Sequence, residues 1–392
     1  MNFKIFINLK ENQNYLFNLL LCFALLQNFD IPLTAFIVII FSIIIFYNYN
    51  NIRLSNRALL SFLFLITYLI FLFLFNSTDL FLYLISIKYW FTFLFVILIY
   101  RLLNLNFTLN IFIFRFFFIL LIVEFVIFNF FSNYTNIFVI QNSDALFFGL
   151  FHRAIGFGRI TSVTSAVYVC LFIYFYQYKI IKPVDWIFLF LGLIVLFSST
   201  SFLLISLFFF YFLLKKSKNK IQKFKKLIVL FFLILVMYNM PMRQQTGDYV
   251  FKQIYYQKIS KSYFLDTAVF KFNSYLCSVF NKQPIFNYKF SDNSLKTSYT
   301  CFNSAKLSPI WGTSFNGNIL TGGDNGLLYF YYNFGLVGFF LVLYSLRFYK
   351  INNQFYLILL FLFSNFHYFI LANVFSVFFL AMILNEKKLK KE

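Results

Sequence analysis

Long apolar runs separated by short polar breaks recur along almost the whole chain. Their spacing predicts about twelve helices, near 14–29, 32–47, 58–75, 80–100, 110–131, 160–178, 185–198, 201–214, 227–239, 326–346, 354–365 and 369–384. A full membrane span prefers roughly 20 residues. Several of these runs are shorter, so 185–214 and 354–384 each read as a tight hairpin of short helices. One stretch breaks the rhythm: residues 240–325 are polar and rich in Asn, Ser and Lys. Within it Leu265, Ala268, Val269, Phe272, Leu276 and Val279 recur at helical spacing. They predict an amphipathic helix over 263–280, lying along a membrane surface or capping a cavity, with irregular loop around it. The chain therefore divides into helices one to nine (1–239), a large loop (240–325), and helices ten to twelve with a basic tail (326–392). No internal repeat or heptad interrupts this order.

Composition strengthens the membrane reading. Hydrophobic residues make up 61% of the chain, charged residues 11%, and the mean hydropathy is +0.79. A soluble domain of this size cannot hide so much apolar surface, which makes the bilayer the expected solvent and membrane lipids obligatory partners. The 67 Phe and 28 Tyr residues read as the product of AT-rich codon usage, serving as packing and lipid-facing material.

The net charge of +21 would suit a nucleic-acid partner, but its distribution argues against one. Lys4, Lys10, Arg53, Arg57, Arg101, Lys179 and Lys182 all fall on one side if the helices alternate. So do the lysine block from Lys215 to Lys226, Arg347, Lys350 and the closing lysines from Lys387 to Lys391. That is the positive-inside pattern, and it sets both termini in the cytoplasm. Loop 240–325 is then outside despite its own nine Lys and Arg residues, because long loops translocate regardless of charge. The first apolar run lacks a small-residue cleavage site and is expected to stay as an anchor.

Little conventional site chemistry is visible. Two distant histidines and the absence of a Cys/His cluster argue against zinc, and no Walker, GxGxxG or GxSxG element implies a cofactor. Cys22 and Cys170 lie in apolar helices as small fillers. Cys277 and Cys301 share the outer loop, where a disulfide and two free thiols are both open readings.

The few ionisable residues near the outer face can be weighed singly. The segment 151–166 brings His152, Arg153 and Arg159 to the mouth of the sixth helix, and Arg243 follows the ninth. Each arginine could snorkel to lipid headgroups. Three together, on the side where basic residues are disfavoured, also suit a bound diphosphate, which a planar guanidinium grips bidentately. At the far end of the loop, Gly322 and Gly323 lead through Asp324 and Asn325 into a helix carrying Gly335 and Gly338. Asp324 reads either as a helix N-cap or as a base. Inside the membrane, Lys88 and Glu124 sit at similar depths, roughly 10–12 Å from the outer end, and are expected to pair. That pair could lock two helices or serve substrate binding. Arg115, nearer the inner end, is expected to snorkel.

These residues resemble the O-antigen polymerase and ligase family of bacterial polysaccharide assembly. The likeness is carried by the R-A-x-G element Arg153, Ala154 and Gly156, the two short helices after it, the lysine-rich inner loop and the large outer loop. It is completed by the pair Asp324–Asn325 followed by Gly335 and Gly338. Ligases of the family carry His where this chain has Asp324, and an S-R pair where it reads Ser198, Ser199, Thr200 and Ser201. Those departures point toward polymerase.

The resemblance implies an all-α polytopic membrane protein of GT-C-like architecture. The implied activity is a metal-independent glycosyltransferase that polymerises undecaprenyl-diphosphate-linked repeat units into O-antigen or capsule at the outer face of the inner membrane. Arg153, Arg159 and Arg243 would hold the diphosphate, Asp324 and His152 would be candidate bases, and Asn325 would assist binding. A chain-length regulator is a partner this reading admits. A ligase is the nearest alternative. A lipid-linked oligosaccharide flippase, expected to show two similar halves and short loops, is the further one.

Overall fold

The computed structural model describes residues 9–31, 33–48, 56–76, 107–140, 151–158, 161–196, 204–209, 335–338 and 373–385, with short pieces and single residues between them. The described residues are mostly helical. Helix α1 is Leu9–Leu25, α2 Leu33–Asn48, α3 Asn56–Asn76 and α4 Phe112–Phe130. Helix α5 is Thr161–Gln177, α6 Pro183–Leu196 and α7 Val374–Asn385. Between α4 and α5 lie a 3-10 helix, Ser132–Ile137, and a two-residue hairpin ladder pairing β1 (Leu146–Phe147) with β2 (Phe151–His152). The expected runs 80–100, 201–214, 227–239, 326–346 and 354–365 fall mostly outside the described residues, as does the expected amphipathic helix 263–280.

Helix α5 is the centre of the packing. Every residue from Thr161 to Phe175 is buried, the state expected of a helix that is apolar on all sides rather than along one stripe. Tyr168 on α5 stacks on Phe114 of α4 with ring centroids 4.9 Å apart, and meets Phe117 edge-on at 5.1 Å. Phe172 meets Trp186 of α6 at 4.8 Å, and Tyr174 reaches Phe379 of α7 at 6.1 Å. Abundant phenylalanine thus becomes an interlocked aromatic core, each offset or edge contact adding to burial.

Side-chain ties fix the helix directions. Midway along α1, Asn18 Oδ1 accepts the Asn110 N–H at 2.9 Å, and one turn earlier Asn14 Oδ1 accepts that of Thr108. Beyond the end of α1, Asn28 bonds to Glu124 near the end of α4. Helices α1 and α4 therefore run side by side in the same direction. The first turn of α4 is joined to the first turn of α6 through Arg115 and Asp185, and three residues further along both helices Phe118 stacks on Phe188, so α6 follows that direction too. Helix α5 starts where α4 and α6 end, and runs the opposite way.

Helix α4, with 19 residues and hence about 28 Å of rise, is long and apolar enough to cross a membrane by length and composition. Shorter apolar helical stretches include Ala35–Asn48, Leu63–Leu74, Thr161–Gln177 and Pro183–Leu196. The outward faces of α2, α3 and α6 are apolar rather than polar. Phe46 is 79% exposed and Leu74 71%, and Val38, Ile39, Phe64, Ile187 and Phe190 are also exposed.

Candidate functional site

The site forms where α4 and α6 end and α5 begins, from the loop 151–158 folded down between them. The loop is held by hydrogen bonds at five of its eight residues. Asn129, in the last turn of α4, donates from Nδ2 to the His152 carbonyl at 2.8 Å, and its Oδ1 accepts the His152 N–H at 2.6 Å. One side-chain amide so satisfies both backbone groups of a residue, as a neighbouring strand would. The Ala154 N–H donates to the carbonyl of Val195 in the last turn of α6 at 3.1 Å. That bond uses a helix-end carbonyl that the helix itself leaves without a partner.

Thr164, one turn into α5, closes the loop from the other side. Its hydroxyl donates to the Ile155 carbonyl at 2.6 Å and accepts the Gly158 N–H at 3.2 Å. Gly156 takes φ +73, a left-handed conformation that glycine adopts without penalty. A Cβ at this position would overlap Cγ2 of Thr164. Glycine is therefore required here twice, by conformation and by space.

Glu124 supports the turn from beneath and is only 3% exposed. Its Oε2 accepts the Gly156 N–H at 2.8 Å and its Oε1 accepts from Asn28 Nδ2 at 2.7 Å. Here the left-handed Gly156 turns its N–H toward the chain's own buried carboxylate. Asn28 is itself anchored, since its carbonyl accepts the Val139 N–H at 2.7 Å while the neighbouring Asp30 N–H donates to Ile137 at 2.8 Å. Phe128, Phe138 and Ile155 pack together beside it as a small apolar cluster.

Arg153 stands within this bracket of ties and is 6% exposed, and His152 beside it is partly exposed. Of the other residues singled out from the sequence, Lys88, Arg159, Arg243, Asp324 and Asn325 lie outside the described residues. So do Cys277 and Cys301. Glu124 is engaged by Asn28 and the loop backbone. Gly335 and Gly338 are buried in the short helical stretch 335–338, where the Val337 N–H donates to the Ile310 carbonyl at 3.1 Å. Among the described residues no group of three or more His, Cys, Asp or Glu could hold a metal ion.

Three polar residues of the site escaped the sequence reading: Asn28, Asn129 and Thr164. Arg115 also behaves differently from the expected snorkel. It forms a two-pronged ion pair with Asp185, Nε to Oδ1 at 2.9 Å and Nη2 to Oδ2 at 3.2 Å. Asp185 Oδ2 further accepts the Lys182 N–H at 2.8 Å, so one carboxylate caps α6 and holds it to α4.

Comparison with known protein families, curated proteins and solved structures finds no match in any of the three.

Proposed function

We propose that the chain is a polytopic inner-membrane glycosyltransferase of about twelve helices that polymerises undecaprenyl-diphosphate-linked repeat units into surface polysaccharide. The membrane part of this reading is supported by the apolar outward faces of α2, α3 and α6. Soluble proteins rarely leave large contiguous apolar surface uncovered. Helix direction supports the alternation: α1, α4 and α6 correspond to the first, fifth and seventh expected spans and run one way. Helix α5 corresponds to the sixth and runs the other. Under the positive-inside reading, the end bearing Glu124 and the 151–158 loop is the outer end.

The observation that carries the catalytic reading is Arg153 on a loop fixed at positions 152, 154, 155, 156 and 158. A residue that only snorkels needs no such frame. Diphosphate recognition does, because a guanidinium grips phosphate oxygens only from the correct plane. In the reaction, an acceptor hydroxyl on a second lipid-linked repeat unit attacks the anomeric carbon of the donor. The bond from that carbon to the diphosphate oxygen breaks, and the electron pair leaves with undecaprenyl diphosphate. Arg153, with Arg159 and Arg243, stabilises the charge gathering on that leaving group. The hydroxyl proton passes to Asp324 or His152, with Asn325 orienting the sugar.

Deleting the gene and examining the cell's surface polysaccharide tests the reading. Lipid A-core capped by single repeat units is the expected result. Uncapped core with accumulated long lipid-linked polymer would instead indicate a ligase, and absence of outward repeat units a flippase.

A further inference from the structure

We propose that Glu124 is the positioning residue of Arg153, acting through the backbone of Ile155 and Gly156 rather than by touching substrate. The inference rests on the reading of Arg153 as a diphosphate ligand. Its physical basis is the unusual use of a carboxylate as the floor of a loop. Burying a carboxylate costs several kcal/mol unless its oxygens are met by good donors. A neutral amide could tie one loop N–H at lower cost. A carboxylate presents acceptors on both oxygens, so that it takes the Gly156 N–H on Oε2 while Oε1 stays on Asn28. Ile155 and Gly156 share a peptide unit whose N–H is held by Glu124 and whose carbonyl is held by Thr164, so its direction is fixed. Arg153 is two residues upstream of Ile155, and on its other side Asn129 fixes both backbone groups of His152. The segment that carries the guanidinium is clamped from α4 at both ends.

Asn28 supplies a second observation. Its Oδ1 is buried with no hydrogen-bond partner, while its Nδ2 donates to Glu124. An orphaned buried acceptor is destabilising, and it leaves Asn28 able to turn its amide. In Glu124→Gln, the new Nε2 would donate to a turned Asn28 Oδ1, and Oε1 would remain for one loop N–H. That variant therefore keeps the fold and the Gly156 tie, with one acceptor atom on the loop as in the wild type. Glu124→Ala removes the floor entirely.

The test is a double-mutant cycle on affinity, with the purified full chain in phosphatidylcholine nanodiscs and undecaprenyl diphosphate as the probe. Affinity is expressed per folded protein, so that lost stability does not enter. Arg153→Ala is expected to weaken binding about tenfold or more, the range for hydrogen bonds to a charged group. Glu124→Ala should weaken it comparably, as should Glu124→Met, which fills the space but offers the loop no acceptor, whereas Glu124→Gln should stay near wild type. In the Arg153→Ala background Glu124→Ala and Glu124→Met should have no further effect, because a residue that acts only through Arg153 is not additive with it. If Glu124→Ala does not fold, Glu124→Met carries the cycle. Wild-type affinity in folded Glu124→Ala or Glu124→Met, losses that multiply in the double mutant, or a loss in folded Glu124→Gln as large as in Glu124→Met overturn the positioning role. Wild-type affinity in Arg153→Ala overturns the diphosphate reading itself, which separates the two failures.

Discussion

Gly156 donates its backbone N–H to the carboxylate of Glu124 at 2.8 Å, across 32 positions of sequence. The bond joins α4 to the loop that opens α5, and Asn129, five residues further along α4, holds the same loop at His152. An apolar helix and a short glycine-containing loop so become a framed position for one arginine.

Gly156→Ala is the most direct test of that frame. The substitution places a Cβ at φ +73 and against Thr164 Cγ2. The left-handed conformation costs roughly 1–2 kcal/mol, and the overlap adds about 1–3 kcal/mol. Reduced abundance in the membrane and a lowered unfolding temperature in detergent are expected. Adding Thr164→Ser, which removes Cγ2 and keeps the hydroxyl, should recover the steric part only. A Gly156→Ala protein as stable as wild type would contradict the loop geometry.

Gly192 tests the aromatic core. A Cβ there would lie 2.6–2.7 Å from the ring carbons and hydroxyl of Tyr168. The ring cannot retreat, because its hydroxyl donates to the Phe188 carbonyl at 2.7 Å and Phe114 and Phe117 pack against it. Alanine for glycine in a helix interior ordinarily stabilises by about 1 kcal/mol. Here Gly192→Ala is expected to destabilise, by about 1–3 kcal/mol, and Tyr168→Leu should relieve part of that loss. Thermal unfolding of the two single variants and the double variant reads the sign.

For the Arg115–Asp185 pair, removing one partner should be asymmetric. Asp185→Ala loses the ion pair and the α6 cap together, a loss of about 2–4 kcal/mol after allowing for the part-exposed arginine. Arg115→Leu leaves the cap intact and should cost less. Exchanging the two charges should not restore stability, since arginine at position 185 cannot accept the Lys182 N–H. Full recovery in the exchanged protein, measured by unfolding in detergent, would show that the cap is dispensable.

What the sequence made legible follows from the range of each interaction. The runs 14–29, 32–47, 58–75, 110–131, 160–178, 185–198 and 369–384 meet the described helices with end displacements of at most five residues, because hydrophobic runs and their breaks are local. The element Arg153–Ala154–Gly156 stood out for the same reason. Asn28 and Asn129 did not, because asparagine is abundant in this chain and their partners lie 96 and 23 positions away. Asp185 carried a signal that was not used: Pro183 at the first helical position with an acid two residues later marks a helix start. An isolated glycine such as Gly192 in an apolar helix likewise signals close packing.

Asp324 distinguishes a helix cap from a base by one substitution. Asn caps a helix about as well as Asp but cannot accept the proton. Asp324→Asn should leave membrane abundance unchanged and lower elongation about 10²-fold or more. Wild-type polymer from this variant would assign Asp324 to the cap and leave His152 as the candidate base.

The central claim is tested most directly by incubating the purified chain, in nanodiscs and with EDTA present, with a defined undecaprenyl-diphosphate-linked repeat unit. The account predicts a ladder of lipid-linked polymers differing by one repeat unit, with release of undecaprenyl diphosphate. It predicts no ladder from Arg153→Ala or from Arg153→Lys, since a point charge does not reproduce the bidentate fork. Failure of the wild-type chain to extend the repeat unit, or full extension by Arg153→Lys, would contradict it.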